Sequence, residues 1–178
     1  MGKPVRVRDN ISTAMHDKPP AEPTRHPPHV SEMSPPKVGK PSGFRSLVGY
    51  HALEWRQDYA EIELELGPQH TNSLGIVHGG VLMTILDAAM GHATTWTSVK
   101  GNVRACVTLS LTTSFLESPR TGRIKAIARL VSNENRVAVA EGEIRSAEGH
   151  LMCIAQGSFR YFPGSEKPEG VPKSQLRR

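Results

Sequence analysis

The sequence predicts an α+β fold in which a curved antiparallel sheet wraps around one long central helix. Three observations carry that reading: strict apolar and acidic alternation over residues 60–66, one apolar helical run from Val81 to about Trp96, and four strand-like runs after it.

The elements follow in chain order. Nine of the 14 prolines lie before residue 44, where no apolar pattern runs as long as a strand, so residues 1–43 read as a disordered, Pro-rich N-terminal arm. From Phe44 the texture changes. Residues 48–56 (VGYHALEWR) can pair, through a turn at Gln57 and Asp58, with the run in which Ala60, Ile62, Leu64 and Leu66 alternate with Glu61, Glu63 and Glu65. Such a strand has one face in a core and one in water. Gly79 and Gly80 open the helix. Leu82, Ile85, Leu86 and Ala89 mark one of its faces and Val81, Met83 and Ala88 cover much of the rest, so it belongs in an interior.

After the helix, Val107, Leu109, Leu111, Thr113 and Phe115 alternate with Thr108, Ser110, Thr112 and Ser114, until Pro119 and Gly122 end the run. Residues 123–132, 136–146 and 151–162 supply three more strands, separated by turn signals at Asn133-Glu134-Asn135 and Glu148-Gly149. The folded domain is therefore expected over residues 44–163. Residues 164–178 (GSEKPEGVPKSQLRR) read as a flexible basic C-terminal tail.

A length of 178 residues with 37% hydrophobic content suits one compact domain plus unfolded ends. The net charge of +5 divides as +3 over residues 1–43, zero over 44–163 and +2 over 164–178. A neutral core has no basic face for DNA or RNA, so a nucleic-acid function is not expected. No apolar run approaches a membrane helix, and MGKPVRVRDN lacks the apolar segment of a secretory signal. Cys106 and Cys153 lie in strand-like runs without metal-ligand spacing, as buried thiols of a reducing compartment would. The expectation is a cytoplasmic protein without membrane contact.

Between Glu65 and Lys100 the one charged residue is Asp87. A carboxylate two turns into an apolar helix is costly unless it meets a cleft, accepts hydrogen bonds or is neutralised. Either it satisfies local backbone donors or it does chemistry. Just upstream, HTNSLGIVHGG places His70, Asn72, His78 and three glycines before the helix start, where the first backbone N–H groups lack intrahelical acceptors. Free donors at the positive end of a helix suit an anion or a developing oxyanion. Joined to the isolated carboxylate, they make a candidate acyl-transfer site. The spacings of His70, His78 and His92 define no zinc site, and no G-x-S-x-G elbow exists, so neither a metal nor a serine nucleophile is expected.

The run HTNSLGIVHGGVLMTILDAAMGHA resembles the signature of hotdog-fold acyl-CoA thioesterases of the phenylacetate-pathway (PaaI-like) type, over roughly residues 44–162. Asn72, Gly75, His78, Gly79, Gly80 and Asp87 stand at that family's spacing. The resemblance implies hydrolysis of acyl-CoA without a cofactor, with Asp87 as the catalytic carboxylate and the Gly79 amide polarising the thioester carbonyl. It implies further that Asn72 orients the carbonyl or the water, that His78 shapes the helix entry, and that Thr108 places a hydroxyl near the acid. Gly80, Val81, Leu82 and Ile85 are expected against the acyl group. Arg136 matches a position of a glycine-arginine pair, with Asn135 in place of the glycine. A phosphate contact and a solvated strand-end charge both stand for it, as they do for Arg104, Arg120 and Arg123.

Asp87 can act as general base on water or attack the thioester itself to give an anhydride. Two other functions remain open: a hotdog-type hydratase or dehydratase, although Asn72 cannot abstract a proton, and a non-catalytic acyl-CoA sensor. Gly79 and Asp87 are separated by about 12 Å of helix rise, too far for one thioester carbon to touch both. The expected assembly is a homo-oligomer, dimer or tetramer, whose active sites are shared between protomers.

Overall fold

The computed structural model describes residues 43–176, and every structural statement below concerns those residues. The expected N-terminal arm lies outside them except for Gly43. In order, the elements are α1 (Gly43–Val48), β1 (His51–Arg56), β2 (Tyr59–Leu66), α2 (Gly79–Thr95), β3 (Asn102–Val103), β4 (Cys106–Phe115), β5 (Gly122–Glu134), β6 (Val137–Ser146), β7 (Leu151–Tyr161) and β8 (Val171–Pro172). Six strands form one antiparallel sheet in the order β1-β2-β5-β6-β7-β4, and α2 packs on its inner face. No described helix is long and apolar enough to cross a membrane.

The period-two pattern decides which face is which. Ile62 and Leu64 point at α2 and are buried, while Glu61 and Glu65 point out, where Lys125 and Arg123 meet them at 3.0 and 3.2 Å. Beneath the helix, β5 and β6 offer Ala126, Ala128, Ala138 and Ala140, all fully buried. Small side chains let α2 sit close to the sheet. At Gly142 the approach is so tight that a Cβ would come within 3.1 Å of Leu86. The inward face of α2, with Leu82, Ile85, Leu86, Ala89, Met90 and Ala93, is removed from water, at roughly 1.5–3 kcal/mol for each large side chain. Its other face stays partly open, although the helix is apolar nearly all round.

Four features depart from the sequence reading. Residues 43–48 form the short helix α1 rather than leading straight into a strand. The β5–β6 turn is the residue pair Asn135 and Arg136, both at positive φ (50° and 67°), one step later than the asparagine cluster suggested.

The third departure is the tail. Residues 164–176 are docked, not free: β8 pairs with β3, and Arg104 donates to the carbonyls of Ser165, Glu166 and Trp96 while lying 4.6 Å from the centre of the Tyr161 ring. Ser165 is fully buried and bonds Ala105 through its hydroxyl. The partners of this polar segment lie some sixty residues away in sequence, out of reach of any local pattern.

The fourth lies in β4. The register to β7 slips between Thr108, opposite Phe159, and Ser110, opposite Ser158. In a regular strand Thr108 would share the outer face with Ser110, Thr112 and Ser114. The irregularity at Leu109 turns Thr108 inward, toward α2.

Candidate active site

The loop between β2 and α2 is tied at each turn. The buried His70 accepts the Gly67 N–H at Nδ1 (2.9 Å), so Nε2 carries the proton that it donates to the Val48 carbonyl (2.8 Å). The His70 carbonyl in turn accepts the His78 N–H. Asn72 folds the loop tip: its Oδ1 accepts from Leu74 N at 2.9 Å and Ile76 N at 3.4 Å, and its own N–H reaches the Ile76 carbonyl. Gly75 closes this turn at φ +68°, a left-handed backbone that other residues resist. Arg120 clamps the tip from the β4–β5 link by donating to the carbonyls of Leu74 and Gly75, and Pro119 accepts the Val77 N–H.

This loop delivers the start of α2. His78 is the N-cap residue, and its Nδ1 accepts the Gly80 N–H at 2.9 Å. A Cβ on Gly80 would stand 3.0 Å from that nitrogen, so a side chain there would crowd the cap. The Gly79 N–H is left without an acceptor among the described residues. Beside it, Phe115 from the end of β4 lies 3.3 Å from where a Gly79 Cβ would be.

Two turns on, Asp87 faces a cleft of about 570 Å³ on the open side of α2. The inward-turned Thr108 donates to Asp87 Oδ1 at 2.7 Å, and Oδ2 remains for water or substrate. Tyr50 and Cys106 line the same cleft. Burial, with the Asp87 charge adding to it, raises both their acidic groups above the ordinary range, so the Cys106 side chain stays a thiol and the Tyr50 side chain a phenol. The His92 imidazole is held below its ordinary value chiefly by burial and is neutral.

The structure thus joins Asp87 with Thr108, and groups Asn72, His78, Gly79 and Gly80 at the helix entry. It does not bring those two groups together within one chain. Leu82 and Ile85, expected against the acyl group, are fully buried on the opposite side of α2, because 100° per residue sets them facing the sheet. Val81 is partly buried and packs on the core. Met83, Thr84, Ala88 and Gly91 take their place along the cleft. Arg136 is outside this lining, and its guanidinium donates to the Tyr161 carbonyl at 3.1 Å. Sequence reading missed Tyr50, Phe115 and the clamp by Arg120. His92 entered that reading only as one of three histidines whose spacing defines no zinc site.

Residues 74–153 match the model of the Thioesterase superfamily. Over 113 residues the chain is 24% identical to a protein of Archaeoglobus fulgidus that carries an esterase name, covering 63% of this chain and 70% of that one. Among solved structures, the conserved protein PA5202 of Pseudomonas aeruginosa is 26% identical with a TM-score of 0.63, over 71% of this chain and 99% of its own. A point variant of the phenylacetic acid degradation protein PaaI of Thermus thermophilus is 26% identical with a TM-score of 0.59, over 67% and 98%.

Proposed function

Since the chain carries a thioesterase-superfamily domain on a hotdog fold, with thioester hydrolysis as its general chemistry, we propose that it hydrolyses acyl-CoA thioesters to free acid and CoA. The observation that carries the reading is the Asp87 carboxylate, open to a cleft and fixed by Thr108, on the same helix whose first N–H, that of Gly79, has no acceptor among the described residues.

Asp87 takes a proton from water as the water oxygen attacks the thioester carbon, and the Gly79 N–H receives the charge gathering on the carbonyl oxygen. The C–S bond then breaks and the proton passes to the departing CoA sulfur. Direct attack by Asp87, through an anhydride that water opens, uses the same groups. Asn72 spends its side-chain oxygen on the loop and has its amide nitrogen left to orient the carbonyl or the water. His78 acts by holding the helix entry.

The oxyanion donor for each Asp87 comes from a second copy of the chain. Two observations support this: the half-open face of a helix that is apolar nearly all round, and the edge strand β4, which with its following residue exposes Val107, Leu109, Phe115 and Leu116. The protein so read works as a homodimer or tetramer in the cytoplasm.

Thiol release by the purified protein on short, medium, long and aromatic acyl-CoAs tests the reading. Asp87→Asn should lower turnover by on the order of a hundredfold or more with the fold intact. A well-folded variant with wild-type turnover would reject the assignment.

A further inference from the structure

Past Asp87 the cleft continues along α2 over Ala88, Gly91 and Thr95, and its far end is not apolar. His92 stands there with its ring fixed from two sides. Nδ1 lies 2.7 Å from the Ala88 carbonyl, and since a carbonyl only accepts, Nδ1 carries the proton and Nε2 the lone pair. Trp55 holds the same residue from behind, its Nε1–H donating to the His92 carbonyl at 2.8 Å and its ring meeting the imidazole edge-on at 5.4 Å. Nε2 itself has no hydrogen-bond partner among the described residues, yet it is not one of the sealed, unpartnered atoms of the interior. It opens to the cleft.

The Tyr50 hydroxyl, on the lining of that cleft, likewise has no hydrogen-bond partner among the described residues. Above Gly91 there is room, because a Cβ added at that position would meet nothing within 4 Å. A pocket meant for a purely apolar chain would gain from a leucine or phenylalanine at position 92. A neutral, half-satisfied imidazole held this firmly presents an acceptor that goes unused when an apolar group fills the pocket, and a desolvated acceptor without a donor is unfavourable.

Resting on the thioesterase reading above, we propose that this end of the cleft is the acyl pocket and that His92 is its specificity-determining residue, selecting acyl groups that carry a hydroxyl. The hydroxyl donates to His92 Nε2, and the Tyr50 hydroxyl is free to donate to its oxygen. Five residues separate Asp87 from His92, which is about 7.5 Å of helix rise. At about 1.5 Å per bond, that places the hydroxyl roughly five to seven bonds from the thioester carbon.

The test uses matched acyl-CoA pairs of four to eight carbons, each pair sharing one skeleton and differing by a single terminal hydroxyl. The wild-type protein should favour the hydroxylated member by about tenfold or more in kcat/KM at the best-fitting length. His92→Phe keeps a ring against Trp55 but removes the acceptor, and the ratio should fall to near one. His92→Gln restores an acceptor near Nε2 and should recover much of the preference, and Tyr50→Phe should lower the ratio by a smaller factor. Hydrolysis of both members at equal efficiency by the wild type overturns the proposal whatever the variants do, and so does an unchanged ratio in His92→Phe. No thiol release on any pair would reject the thioesterase reading and this inference with it, whereas hydrolysis without discrimination rejects this inference alone.

Discussion

At the scale of single residues, three histidines of one chain have three different tasks set by what each nitrogen touches. His70 is spent on the backbone at both nitrogens, and His78 is a cap that accepts at Nδ1. His92 keeps one nitrogen for the cleft. Burial depresses its basicity from the ordinary value of 6.5, Arg45 adds to this, and the bond to Ala88 opposes it. The unfolded chain therefore binds a proton at a higher pH than the folded one does. The stability contributed by a neutral His92 is fully present above pH 6.5 and is lost as the pH falls through its lower folded value. Thermal melts between pH 7.5 and 5 should show a shallower fall in Tm for His92→Phe than for the wild type. Equal slopes would mean that His92 takes up its proton in the fold without cost.

At the scale of elements, α2 and β4 meet along their length, at Gly79 with Phe115, Asp87 with Thr108 and Thr94 with Cys106. The second exists only because β4 slips register at Leu109, so a one-residue irregularity places the hydroxyl of the site. The loop before α2 is likewise held from outside, by Arg120. Its two carbonyl acceptors belong to Leu74 and Gly75, at the tip that precedes the helix entry, and all of these groups are exposed. Arg120→Ala should therefore cost no more than about 1 kcal/mol of global stability. It should lower kcat by about tenfold, because a loosened entry no longer holds the Gly79 N–H in place. Urea denaturation beside kinetics separates the two effects. Full turnover in Arg120→Ala would leave the clamp without influence on the site.

At the scale of the whole molecule, the outer face of the sheet carries charged pairs such as Glu61 with Lys125, whereas the β4 edge exposes Val107, Leu109 and Phe115. That difference supports the proposed pairing of two copies along the β4 edge. In the two-fold dimer proposed above, Asn72 and Gly79 of one chain would serve Asp87 of its partner, giving two equal sites per dimer. Asp87→Ala and Asn72→Ala proteins, each inactive alone, should recover about a quarter of wild-type turnover when subunits exchange at random, since about half the dimers then hold one intact site. Demonstrated exchange with no recovery would place both residues in one chain's own site.

Local pattern alone gives the order of the six sheet strands and α2, the inward face of that helix and the singling out of Asp87. These are local facts: strand and helix periods repeat every two or 3.6 residues, and a lone acid in an apolar run is visible without coordinates. Long-range packing settled the rest. Simple alternation set Thr108 on the outer face, and the register slip against β7 turned it to the acid. Composition made residues 164–176 a free tail, and Arg104, some sixty residues away, anchored them through backbone carbonyls that no side-chain pattern records. An apolar count placed Leu82 in the acyl pocket, while the sheet claimed that face of α2 and left the cleft to Ala88, Gly91 and His92. In each case the deciding partner lies far along the chain, and contacts of that range are fixed by packing, not by period.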